Sequence, residues 1–172
     1  MKIILALDTT NLSEAIDITN KIKSKIFTVK LGLEFFNAHG KEGIRKFNEI
    51  GINNLMLDLK LKDIPQTIYK AIKALDDVKF GFITVHGQGG KAMIQKAKEA
   101  ANEIKTKPKI LMVTILTSLD DKSLKELGND WEFCVQGHRN NQTLNINARH
   151  KTKTCMITLT DKMAVTRNGS DC

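Results

Sequence analysis

Five times in its first 128 residues the chain passes from a short apolar run into a longer stretch with apolar residues at helical spacing. Residues 2–8 read as a strand, and Asn11 to Lys23 as a helix with Leu12, Ala15, Ile16 and Ile22 inward. Phe27 to Leu31 is a second strand. Leu33 to Ile50 is a second helix, with Phe36, Ile44, Phe47 and Ile50 as its expected buried stripe. Asn53 to Lys60 and Ile64 to Leu75 repeat the pattern. So do Lys79 to His86 followed by Lys91 to Ile104, and Pro108 to Leu116 followed by a helix starting at Asp120.

Repeated strand–helix units imply parallel strands joined by right-handed crossovers. Parallel strands are covered on both faces, which suits continuous runs such as Ile110-Leu111-Met112-Val113. The polar residues stand at strand C-terminal ends: Asp8, Lys30, Asp58, Lys60, His86, Thr117 and Ser118. In a (β/α)8 barrel those ends share one rim, where active sites lie. A doubly wound sheet also gathers strand ends, though less completely, and no G-x-G-x-x-G follows the first strand.

The densest charge on that rim is Asp58-Leu59-Lys60-Leu61-Lys62-Asp63, at the end of an apolar strand. Buried charge persists only where it is paired or used. Strand alternation puts Asp58 and Lys60 on one side and Leu57, Leu59 and Leu61 on the other. Ile64-Pro65 then opens a helix, proline being tolerated in the first turn. A plainer reading of this stretch is a structural ion pair, with Asp63 capping the helix.

A length of 172 residues is that of one domain with a full core. The formal charge of +8 comes from lysines scattered among acids along helices, with few aromatic residues. That pattern argues against nucleic-acid binding and suits a phosphorylated small molecule. The apolar run Ile3 to Leu7 is too short for a signal peptide, and no stretch is long enough to span a membrane. A reducing cytoplasm is therefore expected. Cys134, Cys155 and Cys172 have no metal-ligand spacing, so neither a zinc site nor a disulfide framework is expected.

The pattern changes after Gly128. Residues 129–172 hold every cysteine, the only tryptophan and no proline. Asn140-Asn141-Gln142-Thr143 and Lys151-Thr152-Lys153-Thr154 match neither strand nor amphipathic helix, and only Cys155 to Leu159 resembles a strand. Three further strand–helix units need roughly 25–30 residues each, so this stretch is too short to close an eight-stranded barrel. The expectation is a barrel truncated after about five units, spanning residues 1–128, with an atypical, out-of-frame or disordered tail at 129–172.

Residues 1–128 resemble the orotidine 5′-phosphate decarboxylase family. The matching pieces are Ala6-Leu7-Asp8, Lys30-Leu31-Gly32, Asp58-Leu59-Lys60 with Asp63-Ile64-Pro65 and Thr67, Val85-His86-Gly87, and Val113 to Ser118. The resemblance implies a (β/α)8 barrel, a homodimer, a nucleotide substrate, and decarboxylation without metal or organic cofactor in UMP synthesis. It implies that Asp8 contacts ribose hydroxyls, and that Lys30 and Asp58 belong to a charged array beside the scissile carboxylate. Lys60 would give a proton to C6. Asp63 and Thr67 would cross the dimer interface into the partner's site, with Ile64 beside them at the substrate. Thr117 and Ser118 would lie near the pyrimidine. The Asp-x-Lys-x-x-Asp core is shared with Mg²⁺-dependent sugar-phosphate decarboxylases and aldolases, while the Ile-Pro-x-Thr extension favours the orotidylate branch.

Two family features are missing: the Thr-Pro-Gly-Ile-Arg-like run and the closing Gly-Arg pair that grip phosphate. Gly137-His138-Arg139 and Arg167-Asn168-Gly169-Ser170 are the nearest stretches. An inactive barrel fragment is therefore the alternative reading. Each site residue also has a structural reading. Lys30 is a lysine paired to a neighbouring acid, and Asp8 caps the turn before Asn11. His86 orients a loop, Thr117 and Ser118 end a strand, and Gly87-Gln88-Gly89-Gly90 forms an ordinary turn or a phosphate cradle.

Overall fold

A computed structural model describes residues 3–114, 116, 118, 121–126, 133–139, 142–147, 156–158 and 164–167. The chain divides into two compact units, Met1–Leu111 and Met112–Cys172.

The first unit alternates strand and helix as the periodicity requires. Its elements are β1 (Ile4–Leu7), α1 (Leu12–Ile22), β2 (Thr28–Gly32), α2 (Leu33–Glu49), β3 (Leu55–Leu61), α3 (Pro65–Lys73), β4 (Phe82–His86) and α4 (Gly90–Glu103). A 3-10 turn, Gly87–Gly89, joins β4 to α4, and β5 (Lys109–Val113) begins at the end of the unit. The strand order is β1-β2-β3-β4-β5, following the chain. The pairings β1–β2, β2–β3 and β3–β4 are parallel. A doubly wound sheet reverses its order at a switch point. A sequential order without reversal is that of a (β/α) barrel, here over five units.

Alternation along each strand sorts the side chains into two sets. Val29, Leu31, Leu55, Leu57, Ile83 and Val85 are fully buried. So are Phe35, Ile44 and Phe47 of α2, Ile72 of α3 and Met93 of α4, which give the core its helical layer. The opposite set runs across the sheet in register as Ala6, Lys30, Met56 and Phe82. One step along, that set becomes polar, with Asp58, Thr84 and His86 all buried.

Helix ends follow their sequence signals. Asn11 caps α1 by accepting the Glu14 N–H at 3.1 Å, and the Thr9 hydroxyl oxygen accepts the Asn11 N–H at 3.1 Å. Pro65 occupies the first turn of α3, whose cap residue is Ile64 without a side-chain cap bond. The Asp63 carboxylate accepts the Ile64 N–H at 2.7 Å, one residue outside the helix.

In α2 the buried phenylalanine near the N-terminus is Phe35, not the expected Phe36, which is only half-buried. Gly40 explains the change: at φ 53°, ψ −141° it breaks the helix and resets its phase before Ile44 and Phe47.

The second unit holds α5 (Asp121–Glu126), β6 (Phe133–Arg139), β7 (Gln142–Asn147), β8 (Met156–Thr158) and β9 (Ala164–Arg167). β7, β6 and β9 form an antiparallel sheet in that order. Its register sets Val135 opposite Ile146 and Val165. These strands were not expected, apart from β8 within Cys155 to Leu159. Phe133, Val135, Leu144 and Ile146 do alternate with polar neighbours, at a strand period that the surrounding asparagines and threonines obscure.

Candidate active site

Four of the expected residues meet at the C-terminal ends of β1, β2 and β3. The Lys30 ammonium lies 3.5 Å from Asp8 Oδ1 and 3.6 Å from Asp58 Oδ2. Lys60 Nζ lies 2.9 Å from Asp58 Oδ1. The result is a chain of alternating charge, Asp8–Lys30–Asp58–Lys60, in which each inner group touches two opposite charges. Asp58 is its most enclosed member, with a side chain 10% exposed against 67% for Asp8. An enclosed carboxylate needs such partners, because an unpaired charge there is strongly disfavoured.

Alternation gives Asp58 and Lys60 the same face of β3, and the strand register between them is irregular. β3 pairs with β4 as Leu57↔Ile83 and then as Leu61↔Val85, so β3 spends four residues where β4 spends two. Within that irregularity Lys60 has φ 48°, in the left-handed region that lysine rarely adopts. Such backbone conformations persist only where the surroundings hold them, and they cluster at functional sites.

Thr84, which sequence reasoning did not select, sits inside the array. Its hydroxyl oxygen accepts the Lys60 backbone N–H at 2.7 Å and donates to Asp58 Oδ1 at 3.1 Å. The residue is fully buried. The available signal was a lone hydroxyl in the apolar strand Phe82-Ile83-Thr84-Val85, beside the rim histidine.

His86 ends β4 and is buried. Its Nδ1 accepts the Gln88 N–H at 3.3 Å, and Lys62 Nζ donates to Gln88 Oε1 at 3.2 Å. Burial, followed by the nearby Lys62 and Lys60 charges, holds the imidazole below its ordinary value of 6.5. The shift favours the neutral ring, whose Nδ1 caps the 3-10 turn.

The remaining expected residues do not join the array within one chain. Asp63, Ile64 and Thr67 are exposed around the start of α3. Asp8 does not cap α1, since Asn11 and Thr9 perform that task and the Asp8 carboxylate turns to Lys30. Ser118 lies in an exposed turn of the second unit, and Thr117 lies outside the described residues. Among the described residues no group of three or more His, Cys, Asp or Glu is placed to hold a metal ion. None of the described helices is long and apolar enough to cross a membrane.

Sequentially ordered parallel βα units with an acid–lysine array at the strand ends define a barrel-type protein with a charged rim. Comparison with known proteins supplies the family. The model of the orotidine 5′-phosphate decarboxylase / HUMPS family matches residues 1–167, and the chain belongs to that family. The orotidine 5′-phosphate decarboxylase of Wolbachia sp. subsp. Brugia malayi (strain TRS) is 42% identical over 126 residues, covering 73% of this chain and 55% of the relative. That of Ehrlichia canis (strain Jake) is 42% identical over 128 residues, covering 74% and 55%. The chain thus spans about half the length of the curated relatives it matches. The crystal structure of orotidine 5′-phosphate decarboxylase from Lactobacillus acidophilus matches with a TM-score of 0.65 and 37% identity, over 74% of this chain and 59% of that one.

Proposed function

We propose that this chain carries the reacting-carbon part of an orotidine 5′-phosphate decarboxylase site, converting the nucleotide to UMP in pyrimidine synthesis. The observation that supports this most directly is the alternating array Asp8–Lys30–Asp58–Lys60. The family membership and the named relatives support it independently.

The chemistry follows from the array. Breaking the bond between C6 and the carboxyl group leaves an electron pair on C6 with little delocalisation. A fixed Asp58 carboxylate beside the substrate carboxylate repels it, and the repulsion is relieved as CO2 departs. Lys60 stabilises the developing carbanion and transfers an Nζ proton to C6. Lys30 holds Asp58 from its other oxygen and Asp8 from the ribose side. All four groups precede substrate in position, so little reorganisation is needed at reaction.

On the same reading Asp63, Ile64 and Thr67 serve the site of a second copy in a homodimer, and their exposure at the start of α3 supports that role. Residues 1–128 are read as the barrel part and 129–172 as a tail outside it.

The test is UMP formation from orotidine 5′-phosphate by the purified chain, with Lys60→Ala beside it. We expect turnover above the spontaneous rate, reduced by at least about a hundredfold in the variant, as befits a proton donor. A soluble chain that melts cooperatively yet forms no UMP would refute the proposal.

A further inference from the structure

We infer that Thr84 is a positioning residue for this site: its hydroxyl holds Lys60 in its left-handed conformation and aims Asp58 at the same time. The inference rests on the proposed decarboxylase reading for its kinetic consequence only; the geometry stands without it.

The irregular pairing of β3 with β4 puts Lys60 out of step with the backbone of β4. Its N–H bonds instead to the Thr84 side chain, at 2.7 Å. Lone pairs of the hydroxyl oxygen face that N–H, so the single hydroxyl proton is free for another acceptor. It goes to Asp58 Oδ1 at 3.1 Å, the oxygen that also receives Lys60 Nζ at 2.9 Å. Thr84 therefore ties the backbone of Lys60 to the carboxylate that pairs with the Lys60 ammonium. Both ends of one residue are fixed against a fully buried group on the neighbouring strand. Lys30, at 3.6 Å on Oδ2, completes the grip on Asp58 without touching Thr84's oxygen. Serine keeps both bonds. Valine keeps the shape and loses both.

The experiment compares the full chain with Thr84→Val and Thr84→Ser, using amide hydrogen exchange and the backbone three-bond coupling of Lys60 by NMR, and turnover of orotidine 5′-phosphate. We expect Thr84→Val to expose the Lys60 amide to exchange and shift its coupling away from the left-handed value. The same variant should lower kcat by about a hundredfold with KM nearly unchanged, the signature of misplaced reacting groups. Thr84→Ser should restore both readouts. A Thr84→Val chain with Lys60 still protected and kcat within twofold of the parent overturns the inference. Should Thr84→Val not fold, the unsubstituted chain decides: a Lys60 amide that exchanges as fast as a free amide overturns it. A parent chain without turnover removes the decarboxylase reading alone, and the Lys60 exchange and coupling data then decide the role of Thr84.

Discussion

Lys60 combines the two properties that make a single residue informative: an unfavourable backbone and a charge held by partners. A left-handed conformation costs a non-glycine residue about 1–2 kcal/mol, so Lys60 is kept there by its bonds to Thr84 and Asp58. His86 offers a separate handle. Its folded-state value lies below 6.5, because of burial and then of Lys62 and Lys60. The unfolded chain therefore takes up this proton first as pH falls. The stability contributed by neutral His86 is fully present above pH 6.5 and is lost progressively below it. Melting followed from pH 7.5 to 5 should show a steeper loss for the parent chain than for His86→Gln. Parallel curves would mean that the imidazole is not coupled to folding. The charged residues of the array were legible in the sequence because charge at the end of an apolar strand is conspicuous. Thr84 was not, since a threonine in a β-strand is ordinary until its hydroxyl is seen between two partners.

Among the elements, α2 shows how one glycine overrides periodicity. Gly40 at φ 53°, ψ −141° occupies a region closed to residues with a side chain, although an added Cβ would meet nothing within 4 Å. Gly43 has the opposite constraint: a Cβ there would lie 2.6 Å from His39 Cβ and 2.7 Å from the Phe35 ring. Gly40→Ala should destabilise the chain by about 1–3 kcal/mol through backbone strain. Gly43→Ala should cost a similar amount, about 1–3 kcal/mol, through overpacking. Denaturant titration measures both losses. Periodicity located α2 but chose Phe36 over Phe35, since helical phase is read by assuming one uninterrupted helix. The strands β6, β7 and β9 were missed for a related reason: alternation over a few residues is weak against a polar background.

At the scale of the molecule, the apolar Ile64 stands 67% exposed beside Asp63 and Thr67. In the proposed homodimer this side chain is covered by the second copy. Sedimentation should therefore give twice the chain mass for the parent and the chain mass for Ile64→Lys, with far-ultraviolet circular dichroism unchanged. A parent chain that sediments as a monomer at micromolar concentration would remove the dimer. The order of elements from β1 to α5 was determined by the sequence alone, because strand and helix periods are local and repeat five times in alternation. So was the set of charged rim residues, because parallel βα units place strand ends together whatever the details of packing. Only the tertiary structure decided the extra residues of β3 and the left-handed Lys60. It alone also decided the bridging position of Thr84. Those features depend on which strand lies beside which and in what register, and contacts between residues far apart in the chain leave no periodic trace in it.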